Sequence, residues 1–163
     1  GGMTFAKVPT AATNVFFGEW APRKGNPPDN STDLNMDDGN RTVWFVGENP
    51  TKNTTGLATA TYNVVGINKH TPGENDFYTG EITATFGTNK FGSMSGALKR
   101  AGDNDLSFDG VEINNSKGTF NSGAANNEGI KGQFYGNGAA AMAGYANRGN
   151  GKGDDVAFGG AKK

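Results

Sequence analysis

Few residues in this chain can do chemistry. The single imidazole is His70, set in Asn68-Lys69-His70-Thr71-Pro72-Gly73, and cysteine is absent. There is therefore no disulfide, no thiolate metal site and no cysteine nucleophile. A lone histidine can still ligate a metal, haem iron included, because one axial imidazole suffices to hold it. The apolar residues near it in sequence that could wall such a site are Ile67, Phe77 and Tyr78. The neighbours Asn68, Thr71, Pro72 and Gly73 are turn formers, so a solvated loop histidine is the competing reading. Met36 offers a thioether, either as a second iron ligand or as packing for its own loop. It lies among Asp33, Asp37 and Asp38, with Asp29 upstream. These aspartates resemble a calcium loop by composition, without the alternating ligand spacing or the closing glutamate of an EF-hand.

Catalytic motifs are missing. No G-x-S-x-G elbow surrounds a serine, and a histidine-based triad would have to be built around His70 alone. Gly149-Asn150-Gly151-Lys152-Gly153 has the look of a phosphate loop. It lacks the closing Lys-Ser/Thr and the helix that a phosphate site needs. On inventory alone, no enzyme is expected.

The elements that must position these groups are strands. Glycine makes up 27 of 163 residues, and asparagine is abundant beside it. Glycine is a poor helix former, which argues against a bundle. Seventeen aromatics (11 Phe, 4 Tyr, 2 Trp) and a net charge of −1 argue equally against disorder. Fifteen basic against 16 acidic residues leave no footprint for nucleic acid, and no apolar run is long enough for a membrane-spanning helix. Short runs of β-branched and aromatic residues recur at about 8–12-residue spacing. Val15 to Trp20, Arg41 to Glu48, Thr59 to Ile67, Glu81 to Phe86, Phe91 to Leu98 and several shorter runs to Ala161 read as strands. The expected fold is all-β: an antiparallel up-and-down barrel of about eight strands, with long loops at 22–40 and 68–77. Residues 1–14 read as a loose lead-in to a single barrel domain over 15–163. One short helical turn is expected at Gly138 to Met142. Trp20, Trp44, Phe45, Phe16 and Phe17 carry the heaviest apolar load. Adjacent strand residues face opposite ways, so one of each neighbouring pair must lie outside the barrel, under the 22–40 loop or at a surface facing a partner.

Three stretches carry a family resemblance. The first is Gly132-Gln133-Phe134-Tyr135-Gly136-Asn137-Gly138-Ala139-Ala140, followed by Met142-Ala143-Gly144-Tyr145 and a terminal Val156-Ala157-Phe158-Gly159-Gly160-Ala161-Lys162-Lys163. The second and third are Val15 to Trp20 and the pair Thr42 to Asn49 and Ala60 to Asn68. Together they resemble the β-barrel domain of the transferrin-binding-protein-B-like surface lipoproteins of Gram-negative bacteria, and within that group the smaller hemophilin-type hemophores. Asn137 stands where the family often has proline, and Ala143 where it often has glycine.

The resemblance implies an extracellular protein, secreted or anchored on the outer-membrane surface. It implies export by a surface-lipoprotein assembly modulator, capture of host haem or of a haem or iron carrier protein, and delivery to a TonB-dependent receptor. Under it, His70 is the candidate haem-iron ligand, and Tyr78, Met36 and Trp44 are further candidate contacts. Two alternatives come with the family: an adhesion or immune-evasion module that binds a host protein without a small ligand, and the export-directing barrel of a larger protein.

Overall fold

The computed structural model describes residues 1–10, 12–25 and 33–163. Twelve strands form two sheets. The smaller sheet has three antiparallel strands in the order β1 (Gly2–Lys7), β2 (Val15–Ala21), β3 (Thr42–Gly47). The larger begins with β4 (Ala60–Ile67), β5 (Tyr78–Thr85) and β6 (Phe91–Leu98). It continues through β8 (Glu112–Asn114), β9 (Thr119–Asn121), β10 (Ile130–Tyr135), β11 (Ala141–Ala146) and β12 (Val156–Lys162). Each of these strands pairs with the next in sequence, and β12 pairs back onto β4, so eight antiparallel strands close into an up-and-down barrel. A two-residue strand, β7 (Leu106–Ser107), pairs with the end of β6.

Closure removes the sheet's edges, and side chains fill what it encloses. Phe134 packs at ring-centroid distances of 5.1 Å from Phe86, 5.2 Å from Phe120 and 5.8 Å from Tyr62. Phe158 meets Phe108 edge to face at 4.9 Å. So many rings fit because glycine faces them across the barrel. A methyl group at Gly132 would lie 2.0 Å from Phe120 Cζ, and one at its cross-strand partner Gly144 would lie 2.7 Å from Phe158 Cζ. The barrel is a packed core and not a ligand cup.

Three expectations change here. Residues 1–14 are not a loose lead-in throughout, because Gly2–Lys7 pairs along its whole length with β2. Val15 to Trp20 and Arg41 to Glu48 are strands, yet they belong to the separate sheet and the barrel begins at Ala60. Gly138 to Met142 is not helical: Ala139 has φ +57°, and the chain turns there and enters β11. That turn still plugs the barrel, since Ala139 is fully buried and its carbonyl accepts the Tyr62 hydroxyl at 2.7 Å. The only turn of 3-10 helix among the described strands and loops is Lys152–Asp154.

The three-stranded sheet lies on the outside of the barrel, over β11 and β12. Phe17, Val15, Val43 and Phe45 face Ala141, Ala143, Ala157 and Tyr145 in a second apolar core. Small residues on the barrel wall make the contact close: a methyl at Gly159 would lie 2.5 Å from Phe17 Cδ1. Strand alternation then turns Met3, Phe5, Phe16, Trp20, Trp44 and Val46 to the opposite face. The aromatic pairs do split between two faces, but both members lie outside the barrel: Phe17 and Phe45 turn to the seam with its outer wall, and Phe16 and Trp44 turn away from it.

Candidate functional site

His70 stands where the sheet meets the barrel. It follows β4 directly, after a corner in which Lys69 takes a left-handed conformation, φ +52°. Such a conformation is costly for a residue with a side chain, and surrounding bonds must hold it. Glu19 on β2 supplies two of them. Its carboxylate accepts the backbone N–H of Lys69 and of His70, each at 2.8 Å. The same carboxylate is paired with Arg41, and both side chains are fully buried. Arg41 reaches on to the carbonyls of Lys152 (2.6 Å) and Asp155 (3.0 Å). Asn68 donates to Gly153 and Asp155 carbonyls and accepts from Arg100 through both its side-chain and its backbone oxygen.

The imidazole itself is fixed on two sides. Nδ1 hydrogen-bonds the Asp76 carboxylate, and the ring stacks on Phe77 with centroids 4.3 Å apart and planes 20° from parallel. Burial pushes the Asp76 carboxyl up, but the Thr71 amide and the His70 ring, both bonded to it, outweigh burial and hold it below its usual range. Nε2 has no hydrogen bond among the described residues. A carboxylate on one ring nitrogen and an open second nitrogen is the arrangement that makes histidine a directed metal ligand.

His70 lines a cleft of about 570 Å³, within the usual span of small-molecule sites. Met36 lines the same cleft, so the structure brings these two candidates together although 34 positions separate them. The described ends of the 22–40 loop make this possible by pairing with each other. Lys24 donates its amide to the Asp33 carbonyl, Asn35 donates to the Pro22 carbonyl, and Arg23 bridges Leu34. Lys69 Nζ meets Asp37 at 2.8 Å and ties the Met36 segment to the His70 corner. The remaining wall comes from Gly2, Met3 and Thr4 of β1, from Leu34, Thr71 and Pro72, and from charged residues of both signs, Arg23, Lys24 and Lys69 beside Asp33 and Asp37. The cleft sets an imidazole and a thioether in a wall of mixed polarity, in which Lys69 is already paired with Asp37 and Arg23 and Lys24 are the further cations.

The other two candidates lie elsewhere. Tyr78 is buried in the barrel core with the Arg100 guanidinium 4.4 Å over its ring, and it does not line the cleft. Trp44 is on the outward face of the small sheet, beside Phe5 at 6.3 Å, and its buried indole N–H has no hydrogen-bond acceptor among the described residues. Among the described residues no three acidic or histidine side chains cluster as a metal site; Asp29 lies outside the described residues. Sequence reading missed Glu19, Arg41, Asp76 and Arg100. Glu19 did carry a signal, as a charge on a strand face that must be buried.

No family model matches the chain. Among solved structures it is similar in fold to HpuA from Kingella denitrificans, determined in complex with human haemoglobin. The TM-score is 0.54 at 18% sequence identity, covering 100% of this chain and 59% of that one. The chain thus spans less than two thirds of the structure it matches.

Proposed function

We propose that this protein captures host-derived haem, binding it in the cleft between β1, the 33–37 segment and the 69–72 corner, and passes it to an outer-membrane receptor of a Gram-negative bacterium. The observation that carries the reading is the meeting of His70 and Met36 in one cleft, with His70 Nδ1 committed to Asp76 and Nε2 open. Haem supplies an iron that takes imidazole and thioether ligands. Arg23 and Lys24 would be the cations available to its propionates, and Met3, Leu34 and Pro72 the apolar residues available to the ring. Its role is binding and not catalysis. The fold likeness to a haemoglobin-binding protein supports an exported protein working at the cell surface or beyond it.

Titration with haem, followed by absorbance, tests the proposal. A Soret shift that saturates at one equivalent is expected, lost in His70→Ala and altered in shape in Met36→Leu. No shift in the parent protein, or an unchanged one in His70→Ala, refutes it.

A second reading, capture of a haem- or iron-carrying host protein, is favoured by the outward face of the small sheet. Met3, Phe5 and Val46 are each more than half exposed there. Exposed apolar side chains grouped on one face suit protein contact. Pull-down from serum or haemoglobin solution by the parent protein, and its loss in Phe5→Ser with Val46→Ser, is the expected result for that reading.

A further inference from the structure

The Glu19–Arg41 pair is an expensive way to build a core. Both side chains are fully buried, beside a seam of largely apolar residues that includes Phe17, Val43 and Ile67. Removing two charges from water costs as much as their attraction returns, and well-packed apolar substitutes commonly leave stability unchanged or raised. Charge pairing by itself is therefore a weak reason for the pair to be there. What the pair does that apolar side chains cannot is accept hydrogen bonds from a loop. Glu19 takes four: two from the Arg41 guanidinium and two from the amides of Lys69 and His70. Those amides flank the one peptide in the corner that is held at positive φ. Arg41, through Lys152 and Asp155, anchors the carboxylate from the opposite side.

We infer that Glu19 and Arg41 are positioning residues for His70: their buried pair clamps the Lys69–His70 backbone and so aims the imidazole into the cleft, with no contact to the ligand. This rests on the haem reading for its purpose but not for its test. Because His70 is the only histidine in the chain, its ring resonances report the clamp directly, with no ligand present.

The experiment compares the parent protein with Glu19→Gln/Arg41→Met, in which both charges go together so that neither is left buried alone. In the parent, His70 should give one sharp set of ring signals, and the Lys69 and His70 amides should exchange slowly although they lie in a loop. In the double variant the expected result is a thermal midpoint close to the parent's. Both amides should lose protection by at least about tenfold, the ring signals should broaden, and haem affinity should fall by about 10–100-fold, as for other loss of support behind a metal ligand. Tyr62→Phe serves as control, since it removes a buried hydrogen bond inside the barrel and should leave the His70 signals in place. A double variant that folds with unchanged ring signals and amide protection overturns the inference. So does a double variant that fails to fold, because the pair would then serve the fold itself. A parent protein with the stated His70 behaviour but no haem spectrum instead refutes the haem reading and leaves the clamp standing.

Discussion

At the scale of single residues, the site depends on what stands behind the imidazole. Asp76 orients His70 by accepting from Nδ1 on one oxygen and the Thr71 amide on the other, and an asparagine there has one acceptor oxygen and no charge. Asp76→Asn is expected to keep the fold and weaken haem binding by about 10–100-fold, measured by titration. The pH dependence follows from the lowered Asp76 pKa. The folded protein binds this proton less tightly than the unfolded chain does. The stabilisation is thus complete above the ordinary value of 3.8 and is lost as pH falls through the lower folded-state value. Denaturant melts between about pH 5 and pH 2 should show the parent losing stability more steeply than Asp76→Asn.

At the scale of elements, glycine decides where rings and sheets can sit. Gly132 faces the barrel interior, where an added methyl would lie 2.0 Å from Phe120 Cζ. Gly159 faces outward, where a methyl would lie 2.5 Å from Phe17 Cδ1. Gly132→Ala and Gly159→Ala should each cost about 1–3 kcal/mol, the usual penalty for overfilling a packed region. Their effects on the site should differ. The cleft is walled by β1 and held by Glu19 on β2, so shifting the sheet on the barrel disturbs it, while repacking the barrel interior does not. Haem affinity should therefore fall in Gly159→Ala and hold in Gly132→Ala; equal affinities in the two would show that the seam does not set the cleft.

At the scale of the whole molecule, two cores share one wall. The barrel's inner face packs on itself, and its outer face along β11 and β12 packs on the small sheet. Buried phenols tie alkaline stability to both. Burial pushes Tyr135, in the seam, up to about 12, and pushes Tyr62, inside the barrel, higher still. A raised pKa means the folded state keeps a proton that the unfolded chain releases. The corresponding stability is intact below pH 10 and declines as pH rises above it. Tyr62→Phe should flatten that decline. It should also cost about 1 kcal/mol at neutral pH, through loss of the bond that holds the Ala139 plug. Denaturant melts at pH 8 and pH 11 separate the two effects.

Much of this was readable without coordinates. The period-two alternation of Glu81 to Phe86, the glycines inside strands and the regular hairpin spacing determine a closed antiparallel meander, because local pattern and turn chemistry decide strands and their neighbours. His70 stood out because it is unique, and Met36 because a thioether in an acidic loop is unusual. The tertiary structure alone decided that Val15 to Trp20 and Arg41 to Glu48 leave the barrel, since a strand's own sequence does not say which sheet it joins. It alone separated Tyr78 and Trp44 from the cleft and brought Met36 to His70. Those placements depend on the pairing of the described ends of the 22–40 loop and on a buried carboxylate 51 positions away from the histidine it steadies. Such contacts are long-range: they form only once two cores have closed around them, and no window of neighbouring residues encodes them.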